Sequence, residues 1–134
     1  MTKTPDLKRN DLIYPELCYQ IIGGLFRVWG NLGPGHKEKI YQKAVYQELT
    51  NADLKVEREL PSKLYYQERY LGIYYFDFLI EGKLVLETKV RNFFSRKDIE
   101  QVLSYLKSKN LKLGIIAHFT KTRVKFKRIV NLEK

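Results

Sequence analysis

Residues 74–90 read YYFDFLIEGKLVLETKV. Two apolar runs, rich in residues that favour β-strands, flank a turn signal at Glu81-Gly82. Runs of this kind on either side of a glycine-containing turn are typical of a hairpin. We therefore predict two antiparallel strands, Leu71–Ile80 and Lys83–Val90.

Three charged side chains interrupt these apolar runs: Asp77 in the first strand, and Glu87 and Lys89 in the second. Burying an unpaired charge is costly, so folding alone does not explain them. A Mg²⁺ or Mn²⁺ ion does, because such ions bind carboxylate and carbonyl oxygens, and the carbonyl of Thr88 is a further candidate ligand. Lys89 would then orient or deprotonate a water that attacks a phosphodiester, or balance charge in the transition state. The alternative is an exposed cross-strand ion pair, worth about 0–1 kcal/mol.

The length of the turn decides whether Asp77 lies opposite Glu87. A two-residue turn would point Asp77 away from Glu87, since successive side chains in a strand alternate between faces. A three-residue turn over residues 81–83 would pair the two acids, with their carboxylates about 5 Å apart. A bulge near the glycine would have the same effect, and the sequence leaves these alternatives open.

The remaining pattern predicts an α/β fold with a mixed central β-sheet flanked by helices. The strands that follow one another directly would form an antiparallel meander, and the helix between the last two would connect parallel neighbours. Residues 124–130 fit either a final strand or a basic helix. The other predicted elements are helices from residue 15, over 37–51 and over 96–109, a loop over 30–35, and strands over 55–60, 63–66 and 113–119.

Length and composition bound the class of protein. The chain has 134 residues, of which 44% are hydrophobic, so we expect one domain over residues 13–134 after a flexible segment over 1–12. We find no apolar run of the ~18 residues that a membrane helix needs, and no signal peptide. Cys18 is the single cysteine, which excludes an intrachain disulfide and a cysteine-rich zinc site. These features favour a cytoplasmic protein without membrane contact.

The charge is strongly positive and unevenly placed. The formal net charge is +10, and no acidic residue occurs between Glu100 and Glu133. A field of this sign attracts nucleic acid first and anionic membrane second, so we predict nucleic acid, DNA or RNA, as the partner. The oligomeric state is not fixed, and a homodimer stays open. The candidate nucleic-acid-binding residues are Lys107, Lys109, Lys112, Lys121, Arg123, Lys125, Lys127 and Arg128.

One segment ahead of the hairpin resembles a known motif. The residues Gly35-His-Lys-Glu38-Lys-Ile-Tyr41 resemble the G-x-x-E-x-x-Y signature of the GxxExxY proteins, which belong to the PD-(D/E)xK nuclease superfamily. The resemblance spans residues 17–130. It also includes Leu-Gly-Pro-Gly at 32–35, the strand with Asp77, the Glu87-Thr-Lys89 triplet, and residues 101–106.

The resemblance implies a restriction-endonuclease-like core and a nuclease that depends on Mg²⁺ or Mn²⁺. It implies that Asp77 and Glu87 are metal ligands and that Lys89 is the catalytic lysine. It further implies that Glu38 is a helix-borne acid near the metal, with both a ligand and a catalytic role. Gln101 matches a polar position on the following helix and is a further catalytic candidate.

Two residues depart from the superfamily pattern. Phe76 stands where the superfamily name has a proline, and Thr88 replaces a residue that is commonly apolar. Neither change removes a catalytic group. Two other functions fit the same sequence: a non-catalytic nucleic-acid-binding protein on this fold, and a protein-interaction module.

Overall fold

A computed structural model describes residues 13–132. The predicted flexible segment, residues 1–12, lies outside the described residues, as do residues 133 and 134. The elements, in chain order, are helices α1 (Pro15–Leu32) and α2 (Glu38–Asn51), strands β1 (Val56–Tyr66), β2 (Arg69–Ile80) and β3 (Leu84–Lys89), helix α3 (Arg96–Lys109), and strands β4 (Leu113–Phe119) and β5 (Val124–Val130).

The strands form one five-stranded sheet in the order β1-β2-β3-β4-β5. Neighbouring strands are antiparallel except for β3 and β4, which are parallel. Helix α3 connects that parallel pair, because two parallel strands cannot be joined by a tight turn. The predicted mixed sheet with flanking helices is confirmed, and residues 124–130 form a strand rather than a basic helix.

Two hydrophobic cores lie on opposite faces of this sheet. Leu84 and Leu86 pack with α1 and α2, whereas Val85 packs with α3, as strand alternation requires. Helices α1 and α2 approach closely at Gly24, where an added Cβ would lie 2.9 Å from Cδ2 of Leu49. Every residue of β4 is buried, so both faces of this strand are covered.

Two predicted boundaries are wrong. The strands predicted over 55–60 and 63–66 are a single strand, β1, which continues through Pro61. Proline is tolerated at this position because β1 is an edge strand. On the open side of an edge strand there is no neighbouring strand that needs a hydrogen bond from the missing N–H. Helix α1 also continues to Leu32, into the loop predicted over residues 30–35.

The alternation of β2 breaks at Asp77. Phe76 and Phe78 are two residues apart and should share a face, yet Phe76 packs in the α3 core and Phe78 in the α1–α2 core. On β1, the residue between the partners of Phe76 and Phe78 is Glu59, whose φ of 56° is left-handed. Such a backbone is uncommon for a residue other than glycine, and strained positions of this kind cluster at functional sites.

None of the helices in the described part of the chain is both long enough and apolar enough to cross a membrane.

Candidate active site

The hairpin between β2 and β3 has the three-residue turn that the sequence left open. Ile80 pairs with Leu84, so residues 81–83 lie outside the ladder. The N–H of Lys83 donates to the carbonyl of Ile80 at 3.0 Å, and Glu81 and Gly82 both have positive φ, 55° and 65°. Three residues before Ile80 and three residues after Leu84, the same register sets Asp77 opposite Glu87.

The two strands separate at that point, and side chains replace the backbone ladder. The last paired residues are Phe78 and Leu86, although β3 continues to Lys89. Beyond them, the N–H of Asp77 donates to Oε1 of Glu87 at 2.6 Å. In return, Oδ2 of Asp77 accepts from the N–H of Thr88 at 2.7 Å and from its hydroxyl at 2.9 Å. Each acid therefore holds the backbone of the opposite strand.

The two carboxylates differ in their other neighbours. Oδ1 of Asp77 accepts from Nε2 of Gln42 on α2 at 3.2 Å. Oε2 of Glu87 instead accepts from the hydroxyl of Tyr74 at 3.1 Å and lies 3.7 Å from Nζ of Lys89. The acids are thus adjacent but contact opposite sides of the sheet, because the alternation of β2 breaks at Asp77.

Glu38 reaches the same place from α2. Its Oε2 accepts from Nε2 of Gln42 at 3.3 Å, and its Oε1 accepts from the N–H of Val90 at 3.3 Å. One amide group, that of Gln42, therefore links Glu38 to Asp77. Sequence reasoning missed Gln42. Its position four residues after Glu38, on the same helical face, was the available signal.

Burial and mutual repulsion disfavour the charged forms of both strand acids. Glu87 is 3% exposed, and its pKa is raised to about 7, first by burial and then by the charge of Asp77. The pKa of Asp77 is also raised, by burial and by the charge of Glu38, against the opposing hydrogen bonds from Thr88. A bound cation would favour both charged forms, as an opposite charge does.

The donor set suits Mg²⁺ or Mn²⁺ in kind, since it consists of carboxylate oxygens. Within residues 13–132, no three acid, histidine or cysteine side chains are already grouped closely enough to hold a metal ion. A carboxylate has about four acceptor positions. Asp77 accepts three hydrogen bonds and Glu87 accepts two, so each retains capacity for a cation.

Gln101 lies on α3, and it makes no hydrogen bond with the carboxylates of Glu38, Asp77 or Glu87. It lines a cavity of about 170 Å³ together with Tyr74, which itself donates to Glu87. The structure therefore places Gln101 beside the site rather than among the interacting acids.

The predicted basic segment divides into separate surfaces. Arg128 donates to the carbonyl of Ile13, beside α1. Lys125 and Lys127 lie over the ring of Phe94, at 5.8 and 5.4 Å from its centre. The β4–β5 turn, which carries Lys121 and Arg123, follows the end of β4 that pairs with Lys89. Three lysines lie toward the opposite end of the β3–β4 pair: Lys107, Lys109 and Lys112.

His118 is a buried group near the site. It pairs with Lys89 across the β3–β4 ladder, and its ring stacks on Phe94 with centres 4.1 Å apart. Neither ring nitrogen has a hydrogen-bond partner among the described residues. Its pKa is lowered to about 4, first by burial and then by the charge of Arg91, so the ring is neutral at pH 7.

Known proteins support the same architecture. The solved structure titled "Crystal structure of SSO0001" is similar in fold, with a TM-score of 0.54 and 18% sequence identity. The similarity covers 97% of this chain and 64% of that chain, so this chain spans less than two thirds of its length. No curated protein sequence matches the chain.

The match to a protein family is more specific than the similarity in fold. The family described as the PD-(D/E)XK nuclease superfamily matches residues 15–129, which include all the candidate acids, Lys89 and Gln101. The narrower resemblance to GxxExxY proteins stays a prediction. By this match, the chain belongs to the PD-(D/E)XK nuclease superfamily.

Proposed function

We propose that this protein is a nuclease that uses Mg²⁺ or Mn²⁺ to hydrolyse phosphodiester bonds in nucleic acid. One observation supports the proposal above all others. Two buried or half-buried carboxylates, Asp77 and Glu87, meet where two paired strands separate, with Lys89 beside them. Membership of the superfamily supports a nuclease in general. Asp77, Glu87 and Lys89 are the residues that would carry out the proposed reaction.

The ion would be held by the carboxylates of Asp77, Glu87 and Glu38 and by the carbonyl of Thr88. When bound, it would polarise the phosphate and lower the pKa of a water molecule. The binding residues are held in place by neighbours that are not themselves ligands. Gln42 fixes Asp77 relative to Glu38, and the Tyr74 hydroxyl fixes Glu87.

Lys89 would act on the water or on the phosphate. Its side chain is 13% exposed, so its charge is only weakly screened by solvent. From its position beside Glu87 it can orient the attacking water or offset the charge that develops on the phosphate. Gln101 would contact the substrate from α3. We assign the binding of the nucleic-acid backbone to the basic residues between 107 and 128, in a cytoplasmic protein whose single domain spans residues 13–134.

A cleavage assay tests the proposal. Labelled single-stranded, double-stranded and branched DNA and RNA would be incubated with Mg²⁺, Mn²⁺ or EDTA, using the wild type and Lys89→Ala. We expect cleavage only with a metal and only by the wild type, while Lys89→Ala keeps its fold by circular dichroism. Full activity of Lys89→Ala would overturn the assignment. Salt-sensitive binding without cleavage in either metal would favour the non-catalytic alternative.

A further inference from the structure

A groove runs between α3 and the β1–β2 hairpin. It consists of two adjoining cavities of about 170 and 340 Å³, which share Ser62, Lys63 and Ser108. Phe76 and Tyr105 contribute their largely buried rings to its lining. We call this feature the α3 groove.

The α3 groove begins at the candidate active site. Tyr74 lines its first cavity and donates a hydrogen bond to Glu87, and Gln101 lines the same cavity. The second cavity ends at Lys109, eight residues further along α3. At 1.5 Å per residue this is about 12 Å, or roughly three steps of a nucleic-acid strand.

The lining of the groove suits a phosphate backbone. Neither cavity is lined by an acidic residue, while Lys63 lines both cavities and Lys109 lines the one away from Glu87. The side chains of Ser62, Ser104 and Gln101 make no hydrogen bond with another described residue, so they are available to a ligand. Phosphate oxygens accept from such hydroxyl, amide and ammonium groups.

Glu57 is an acid near the α3 groove that does not line it. Glu57 contributes to raising the pKa of Tyr105, after burial of that ring. Glu57 does not line either cavity, and its carboxylate lies 4.0 Å from Nζ of Lys55. The groove therefore presents donors and positive charge to whatever enters it.

We infer that the α3 groove binds one strand of nucleic acid and leads it away from the active site. The inference rests on the proposed function and deepens it, because it specifies a single-stranded segment as part of the substrate. The groove lies between a helix and a hairpin, and its two cavities follow one another along α3, as one strand of nucleic acid would. Aromatic rings in a basic groove are typical of single-strand binding, and the half-buried ring of Tyr74 lines this groove. The inference also gives Lys109 a role in binding the strand, although Lys109 lies far from Lys89.

Binding can be measured without cleavage. Binding tests the inference about the α3 groove and cleavage tests the nuclease proposal, so the two can fail separately. Fluorescence anisotropy in EDTA would compare a labelled single-stranded oligonucleotide with its duplex, using Lys89→Ala protein as the background. We expect tighter binding of the single strand. Lys63→Glu and Lys109→Glu should each weaken binding and reduce the slope of log Kd against log salt by about one. Lys43→Glu, the same charge change on an exposed position of α2, should leave that slope unchanged.

A charge-neutral variant completes the test. Ser104→Leu fills the groove at an exposed position of α3 and should also weaken single-strand binding, with an unchanged melting temperature. Duplex binding as tight as single-strand binding would overturn the inference. So would unchanged affinity in all three groove variants. If Lys125→Glu and Lys127→Glu alone reduce the salt slope, nucleic-acid binding stands but its path is along β5.

Discussion

The main-chain N–H of Asp77 donates a hydrogen bond of 2.6 Å to Oε1 of Glu87. One candidate ligand thus holds the backbone of the other, at the point where the β2–β3 ladder ends. Burial and the charge of Asp77 both oppose ionisation of Glu87. Without a cation, the negative charge of Glu87 therefore destabilises the folded protein. Removing that charge should change the measured stability.

Neutralising Glu87 should stabilise the metal-free protein while abolishing cleavage. Glu87→Gln keeps the shape of the side chain and removes its buried charge. We expect the free energy of unfolding in EDTA at pH 8 to rise by about 1–3 kcal/mol, as measured by urea denaturation. Glu100→Gln is the control, because its side chain is 70% exposed and pairs with Arg96 only at 3.8 Å. A loss of stability in Glu87→Gln would contradict the account.

The raised pKa of Glu87 also predicts how the free energy of unfolding changes with pH. The pKa of Glu87 is raised from 4.5 to about 7 in the folded protein, so between these values the folded state binds more protons than the unfolded state. Stability from this group therefore falls as pH rises through that range. The difference in unfolding free energy between Glu87→Gln and the wild type should be small below pH 4.5 and should grow up to about pH 7. A difference that is constant with pH would be inconsistent with a buried, repelled carboxylate.

Gln42 should matter for metal binding although it is not a ligand. Because its amide binds both Glu38 and Asp77, Gln42→Ala should release the two acids from their relative positions. Loss of a residue that orients ligands typically costs about 10–100-fold in metal affinity. Isothermal titration with Mn²⁺ would measure this, with Gln47→Ala, an exposed position on the same helix, as the matched control. Equal Mn²⁺ affinity in the two variants would show that Gln42 has no such role.

The contact between β4 and α3 should not tolerate a side chain at Gly114. An added Cβ there would lie 2.7 Å from Cγ1 of Val102. Gly114→Ala should therefore destabilise the protein by about 1–3 kcal/mol in thermal or urea unfolding. In a double-mutant cycle, Val102→Ala should recover part of that loss, because it removes the clashing methyl group. Additive effects of the two changes would show that the methyl contact is not the cause.

Much of the fold follows from local patterns. The helical spacing over residues 96–109 and the apolar run over 113–119 predicted α3 and β4 with the bounds that the structure has. Pro61 misled the prediction of β1, since its tolerance depends on the strand lying at the edge of the sheet. Edge position is a tertiary property that no local pattern contains.

The sequence places the candidate acids on a strand pair and a helix, but it does not predict how they are arranged. A turn containing Glu81-Gly82 is compatible with either two or three residues, and only the register shows that it has three. The break in alternation at Asp77, which directs its carboxylate toward Gln42, lies opposite the left-handed Glu59 of β1. Contacts such as Tyr74 with Glu87 join positions 13 residues apart and depend on that break.

We propose that Asp77, Glu87 and Glu38 together bind a divalent cation where β2 and β3 separate. Anomalous diffraction from crystals grown with Mn²⁺ tests this most directly. We predict a manganese peak bound by carboxylate oxygens of Asp77 and Glu87, close to Glu38, that disappears in Asp77→Asn. A Mn²⁺ ion bound by other residues, or no peak at this position in protein saturated with Mn²⁺, would contradict the claim.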